Sequence, residues 1–124
     1  MTDKQEMSMT TEQVITHHLE AFGAGDVDEI VADYTDDSVI IVPDATYRGV
    51  DAIRGMFGFL FENVFIPGDY DFELTRSEVE GEVAYIVWNA SSERMDVPVG
   101  TDTFIVRDGK IAVQTFAAHI APKP

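Results

Sequence analysis

The chain has 124 residues, 45% of them hydrophobic, which suffices for one compact domain with a real core and leaves no room for a second. With 23 acidic against 8 basic residues the formal net charge is -15, a field that repels phosphate backbones and anionic headgroups and argues against nucleic acid or membrane partners. There is no cysteine, so disulfides, thiolate nucleophiles and thiolate metal ligands are excluded together.

The N-terminal stretch "MTDKQEMSMTTEQ" is polar and acidic and lacks the apolar core of a signal peptide, and no later run approaches the roughly 18 apolar residues of a membrane span. A cytoplasmic location is the expectation, with residues 1–9 and 121–124 frayed. Thr10, three residues before Gln13, is a capping-box pattern. Val14, Ile15, His18, Leu19 and Phe22 then follow at helical spacing and predict an amphipathic helix that Gly23 and Gly25 end. Asp26 and Glu29 open a second, short helix with Val27, Ile30, Val31 and Tyr34 on one stripe.

In "YTDDSVIIVP", the β-branched run predicts a short strand closed by Pro43; Asp36 and Asp37 precede it as turn residues, and Asp44 belongs to the turn that follows. A second short strand is expected at Tyr47. Ile53, Met56, Phe57, Leu60, Phe61 and Val64 predict a third helix. Gly55 and Gly58 inside it cost about 1 kcal/mol each relative to alanine, which points to close packing against them. "YDFELTRSEVEGEVAYIVWNA" predicts a hairpin turning near Glu80 and Gly81. Residues 95–106 and 110–120 predict another, joined at "RDGK" by an Asp-Gly turn. The order is α+β: a curved antiparallel sheet wrapped around three N-terminal helices, leaving a cone whose open mouth suits a small-molecule pocket.

The stretches "AFGAGDVDEIVADYTDDSVI", "YRGVDAIRGMF" and "TDTFIVRDGKI", in this order and spacing, resemble the nuclear transport factor 2-like superfamily in its ketosteroid isomerase and SnoaL-like polyketide cyclase branch. The resemblance covers nearly the whole chain and implies a cystatin-like cone, a deep apolar pocket and a homodimer through the outer face of the sheet, with Phe104 or its neighbours supplying apolar area. In ketosteroid isomerase an aspartate base works with a tyrosine and a protonated carboxylic acid that hold an oxyanion. Carried across, the base falls at Val42, the tyrosine at His18 and the neutral acid near Val99. All three roles are changed, so the resemblance implies a pocket without that mechanism's carboxylates.

His18 is the sharpest candidate, because a histidine on an apolar stripe is desolvated and neutral and suits a hydrogen-bond donor to an oxyanion or a general base; the bland alternative is a core histidine bonded to the backbone. His17 points off the stripe, toward solvent. His119 is the second catalytic candidate, near the end of the last strand. It shares a face with Thr115 and Ala117, while Gln114 and Phe116 share the other, and the pattern leaves open which is inside. Val14, Phe22, Tyr34, Val42, Phe57, Trp88, Val99, Gln114 and Phe116 are the expected pocket lining, although Tyr34 also reads as a core residue with its hydroxyl at the surface. Asp102 reads as structural. Two histidines without a third ligand make a poor metal site, and no GxSxG, P-loop or GxGxxG occurs, so neither metal nor cofactor is expected. The expected function is binding of a small, largely apolar molecule, with acid-base chemistry of the isomerase, cyclase or hydratase kind; the competing expectation is a non-catalytic dimeric ligand-binding or interaction module.

Overall fold

The computed structural model describes residues 9–124, so most of the expected frayed segment 1–9 lies outside the described residues. Helix α1 (Thr11–Ala24) starts at the predicted capping box: Thr10 Oγ1 accepts from the Gln13 amide at 3.1 Å and Gln13 Oε1 accepts from the Thr10 amide at 2.9 Å. It ends on Gly25, whose φ of 66° is left-handed and whose absent Cβ would come within 2.4 Å of Pro67 Cγ. The loop after the third helix is thereby packed onto the end of the first. Helix α2 (Val27–Val31) is capped by Asp26, which accepts from the Glu29 amide at 3.1 Å.

Strands β1 (Val39–Val42) and β2 (Ala45–Arg48) form a hairpin, and helix α3 (Gly49–Asn63) follows. Ile53, Met56, Phe57 and Phe61 form its buried stripe. The close packing expected at Gly55 and Gly58 does not occur: nothing lies within 4 Å of a Cβ built at either. Both glycines face open space, so their helix-propensity cost has no packing compensation.

The remaining strands are β3 (Tyr70–Glu80), β4 (Val83–Ser92), β5 (Met95–Arg107) and β6 (Lys110–Pro122), an antiparallel meander. Asp108 and Gly109 both have positive φ, 53° and 75°, as the Asp-Gly turn between β5 and β6 requires. The sheet runs β2-β1-β6-β5-β4-β3. Its β1·β6 ladder is parallel, with Val39 opposite Val113, a pairing between strands more than 70 residues apart that no local pattern announces. Strand β6 also runs to Pro122, past the point where the chain was expected to fray, with Ala121 and Pro122 opposite Asp96 and Met95.

Register shifts interrupt the ladders between Leu74 and Arg76, Trp88 and Ala90, Asp96 and Val99, and Ile105 and Val106. Such bulges bend strands and raise their twist, which lets the sheet curl over the helices. Its inner face carries Ala84, Ile86 and Trp88 of β4, Phe104 and Val106 of β5 and Ile111 of β6 onto a core completed by Val14, Ile30, Ile53 and Phe57. Phe104 is 0% exposed, which corrects its expected place on an outer dimer surface. Thr103 and Ile105, its neighbours in the strand, alternate to the other face. No described helix is long and apolar enough to cross a membrane.

Candidate functional site

Between α1, α3 and the inner face of the sheet lies a cavity of about 40 Å³, and His18, Phe57, Trp88, Asp102, Gln114 and Phe116 are among its walls. That is room for about three water molecules at ~10–15 Å³ each. Aromatic rings account for the small size: Phe22, Phe57, Phe65, Phe72, Trp88 and Phe116 all reach the wall.

One polar chain crosses this apolar interior. Tyr34 donates its hydroxyl hydrogen to Gln114 Oε1, Gln114 Nε2 donates to Asp102 Oδ2 at 2.9 Å, and Trp88 Nε1 donates to Asp102 Oδ1 at 2.7 Å. Each carboxylate oxygen of Asp102 therefore holds a donor, and the carboxylate in turn fixes which way the Gln114 amide faces. Burial pushes the Asp102 carboxyl up to about 6, against the downward pull of its bonds from Trp88 and Gln114. Burial also raises the Tyr34 phenol well above its ordinary value, with the Asp102 and Asp33 charges adding to the effect.

Gly100 makes the Trp88 contact possible. It stands opposite Trp88 in the β4·β5 ladder, and a Cβ on it would lie 2.3 Å from indole carbons. The glycine lets the indole lie against β5 and reach Asp102, two residues further along the same strand face.

His18 is 3% exposed and packed edge-on against Phe104, Phe57 and Tyr34 at ring-centroid distances of 5.3, 5.8 and 6.2 Å. Its Nδ1 is buried with no hydrogen-bond partner. Desolvation lowers its pKa to about 4, helped by the neighbouring His17 charge, so the imidazole is neutral near pH 7. His17 is the opposite case and is not simply solvated. Its Nδ1 meets Asp33 Oδ2 at 2.6 Å and its Nε2 meets Glu29 Oε1 at 2.8 Å, a clasp of α1 to α2 and the turn beyond it. The hydrogen bonds to Asp33 and then Glu29 raise its pKa. Burial raises the Asp33 carboxyl, while His17 pulls it back.

Of the expected lining, Phe22, Phe57, Trp88, Gln114 and Phe116 stand on the cavity wall with His18. Val14 lies in the core, and Val42 is partly buried at the end of β1. Tyr34 is also buried, hydroxyl included, so the expected surface position of that hydroxyl is corrected; it reaches the site through Gln114. Val99 is 47% exposed and off the wall. His119 is exposed on the face of β6 away from Gln114 and Phe116, so His18 and His119 are not brought together.

The buried carboxyl is Asp102, three residues nearer the RDGK turn than the position near Val99 to which the resemblance carried the neutral acid. More and less buried positions alternate from Gly100 to Val106, so Asp102 is buried with Phe104 and Val106 while Val99 is 47% exposed. A local signal for Asp102 existed. Asp102, Phe104 and Val106 alternate, so an apolar Phe104 and Val106 facing inward carry Asp102 inward with them. Leu19, Leu60, Phe65, Phe72 and Ile86 complete the wall and were not singled out. No group of three or more His, Asp or Glu side chains arranged to hold a metal occurs among the described residues.

Residues 15–114 match the profile of the SnoaL-like domain. The chain belongs to the SnoaL-like domain family. No curated protein sequence matches it significantly. Among solved structures, a candidate polyketide cyclase from Sinorhizobium meliloti is similar at 20% identity and a TM-score of 0.72, over 94% of this chain and 100% of that one. A candidate ketosteroid isomerase from Kribbella flavida is similar at 20% identity and a TM-score of 0.74, over 95% and 85% of the two chains. A candidate SnoaL-like polyketide cyclase from Shewanella putrefaciens is similar at 13% identity and a TM-score of 0.73, over 92% and 82%. At these identities the likeness is one of fold, and this SnoaL-like chain has the cone architecture of those proteins.

Proposed function

We propose that this SnoaL-like protein binds a small, largely apolar carbonyl compound and moves a proton on the carbon beside the carbonyl. The observation that carries the reading is one cavity walled by two buried titratable groups whose environments set different roles: His18 near 4, held neutral, and Asp102 near 6, ionised at pH 7. Asp102 is the base. Its carboxylate takes the proton from carbon, and the negative charge passes to the carbonyl oxygen. With Nδ1 of His18 sealed in the core, Nε2–H is the donor left for that oxygen. Return of the proton to another carbon gives isomerisation; attack of the enolate carbon on a second carbonyl in the same molecule gives cyclisation.

Deuterium exchange at the methyl carbon of acetophenone, the carbon beside its carbonyl, in D2O, followed by NMR, tests this without knowledge of the natural substrate. The expected result is exchange faster than in buffer, rising as pH passes through about 6 and lost in Asp102→Asn. Exchange no faster than in buffer overturns the catalytic reading and leaves the non-catalytic binding module, which the aromatic filling of the cavity favours. The reading includes a homodimer in the cytoplasm without nucleic acid partners, supported by apolar Val83 and Tyr85 exposed on β4 and by the -15 charge. Sedimentation equilibrium tests the dimer: a mass near twice 13.8 kDa is expected.

A further inference from the structure

The cavity is too small for a ring as it stands, since ~10–15 Å³ per water leaves room for about three waters. A ligand larger than that must displace part of the wall. The side chains of Phe57, Phe65, Ile86 and Trp88 are locked in the core, whereas Phe72 is 38% exposed. Phe72 lies stacked on the Trp88 indole, with ring centroids 5.4 Å apart and an interplanar angle of 26°. It belongs to β3, the edge strand of the sheet, and is registered only on Ala90 of β4. Turning its side chain outward changes a rotamer and breaks no ladder hydrogen bond.

We propose that Phe72 is a side-chain lid and that the ligand is a compound with a single planar ring, which takes the place of the Phe72 phenyl on the face of Trp88. This rests on the small-molecule reading above and names its substrate class. Removal of one phenyl ring opens a space of that size and flatness, bounded by an indole that cannot swing away. Trp88 Nε1 is bonded to Asp102 Oδ1 at 2.7 Å, and Gly100 stands against the ring with no room for a Cβ. A planar ring keeps the stacking that Phe72 gives up, whereas a puckered ring of the same size does not. Fused multi-ring molecules exceed the opening. Trp88 and Asp102 stand on the same cavity wall and are bonded to each other, so the ligand ring shares its cavity with the polar end of the site.

Trp88 is the sole tryptophan, so the protein has one indole N–H signal in its nitrogen-proton correlation spectrum. Phenol and cyclohexanol, alike in size and differing in planarity, are titrated into wild type, Phe72→Ala and Phe72→Leu. Phenol is expected to move the Trp88 signal in wild type, to bind about tenfold more tightly once the lid is removed in Phe72→Ala, and to bind with intermediate affinity in Phe72→Leu. Cyclohexanol is expected to leave the signal in place in all three. Phenol affinity that is unchanged or weaker in both variants overturns the lid, and cyclohexanol matching phenol overturns the planar ligand; in either case the exchange reading of Asp102 still stands on its own test. A Trp88 signal that phenol moves in none of the three proteins overturns this proposal, and the exchange test alone then decides the small-molecule reading.

Discussion

His17 holds two carboxylates within reach of water, while His18, the next residue on α1, is enclosed by Tyr34, Phe57 and Phe104 with its Nδ1 unpartnered. One histidine is raised from the usual value by hydrogen bonds to acids and the other is lowered to about 4 by burial. The contrast teaches that an identical side chain becomes a charged clasp or a neutral cavity group according to what the tertiary fold packs around it. The clasp also acts on the cavity, because the His17 charge adds to the lowering of His18.

The largest effect expected from breaking this contrast is at His18. Its folded pKa of about 4 lies below the ordinary histidine value, so its contribution to stability is present above pH ~6.5 and is lost as pH falls through 4. That gap corresponds to about 3 kcal/mol. His18→Leu removes this part of the acid destabilisation, and urea unfolding of wild type and variant across the window measures it. Gly100→Ala attacks the cavity side by overpacking. It drives a methyl group into the Trp88 indole and is expected to cost about 1–3 kcal/mol in thermal or urea unfolding and to shift the indole N–H signal as the bond to Asp102 breaks.

Gly55→Ala and Gly58→Ala in α3 lie apart from both histidines and serve as a control. With open space at both positions, each is expected to stabilise by up to about 1 kcal/mol, read as a rise in the urea midpoint, and to leave the indole signal unmoved. The smallest effect is at His17. Its pKa is raised, so its contribution is full below pH ~6.5 and fades as pH rises through the folded value, the reverse of His18. His17→Gln is expected to cost less than about 1 kcal/mol because the clasp is partly solvated, with the loss confined to the lower pH range of the same urea series.

Sequence alone determined the parts of this protein that depend on neighbouring residues. The Thr10–Gln13 capping box, the apolar stripes of α1 and α3 and the positive-φ Asp108–Gly109 turn are local hydrogen-bond and backbone demands written in adjacent positions. The placement of His18 on a buried stripe follows from the same periodicity. Only the tertiary structure decided that β1 pairs in parallel with β6, that Asp102 rather than a residue near Val99 is the buried carboxyl, and that His119 faces away from the cavity. A bulge such as the one between Asp96 and Val99 changes which positions face inward without a reliable mark in composition, and family positions carried across by counting do not say which residue the fold buries. The raised carboxyl of Asp102 was out of reach, because its desolvation is set by the aromatic walls that distant segments bring together around it, whereas the neutral state of His18 follows from its place on the apolar stripe.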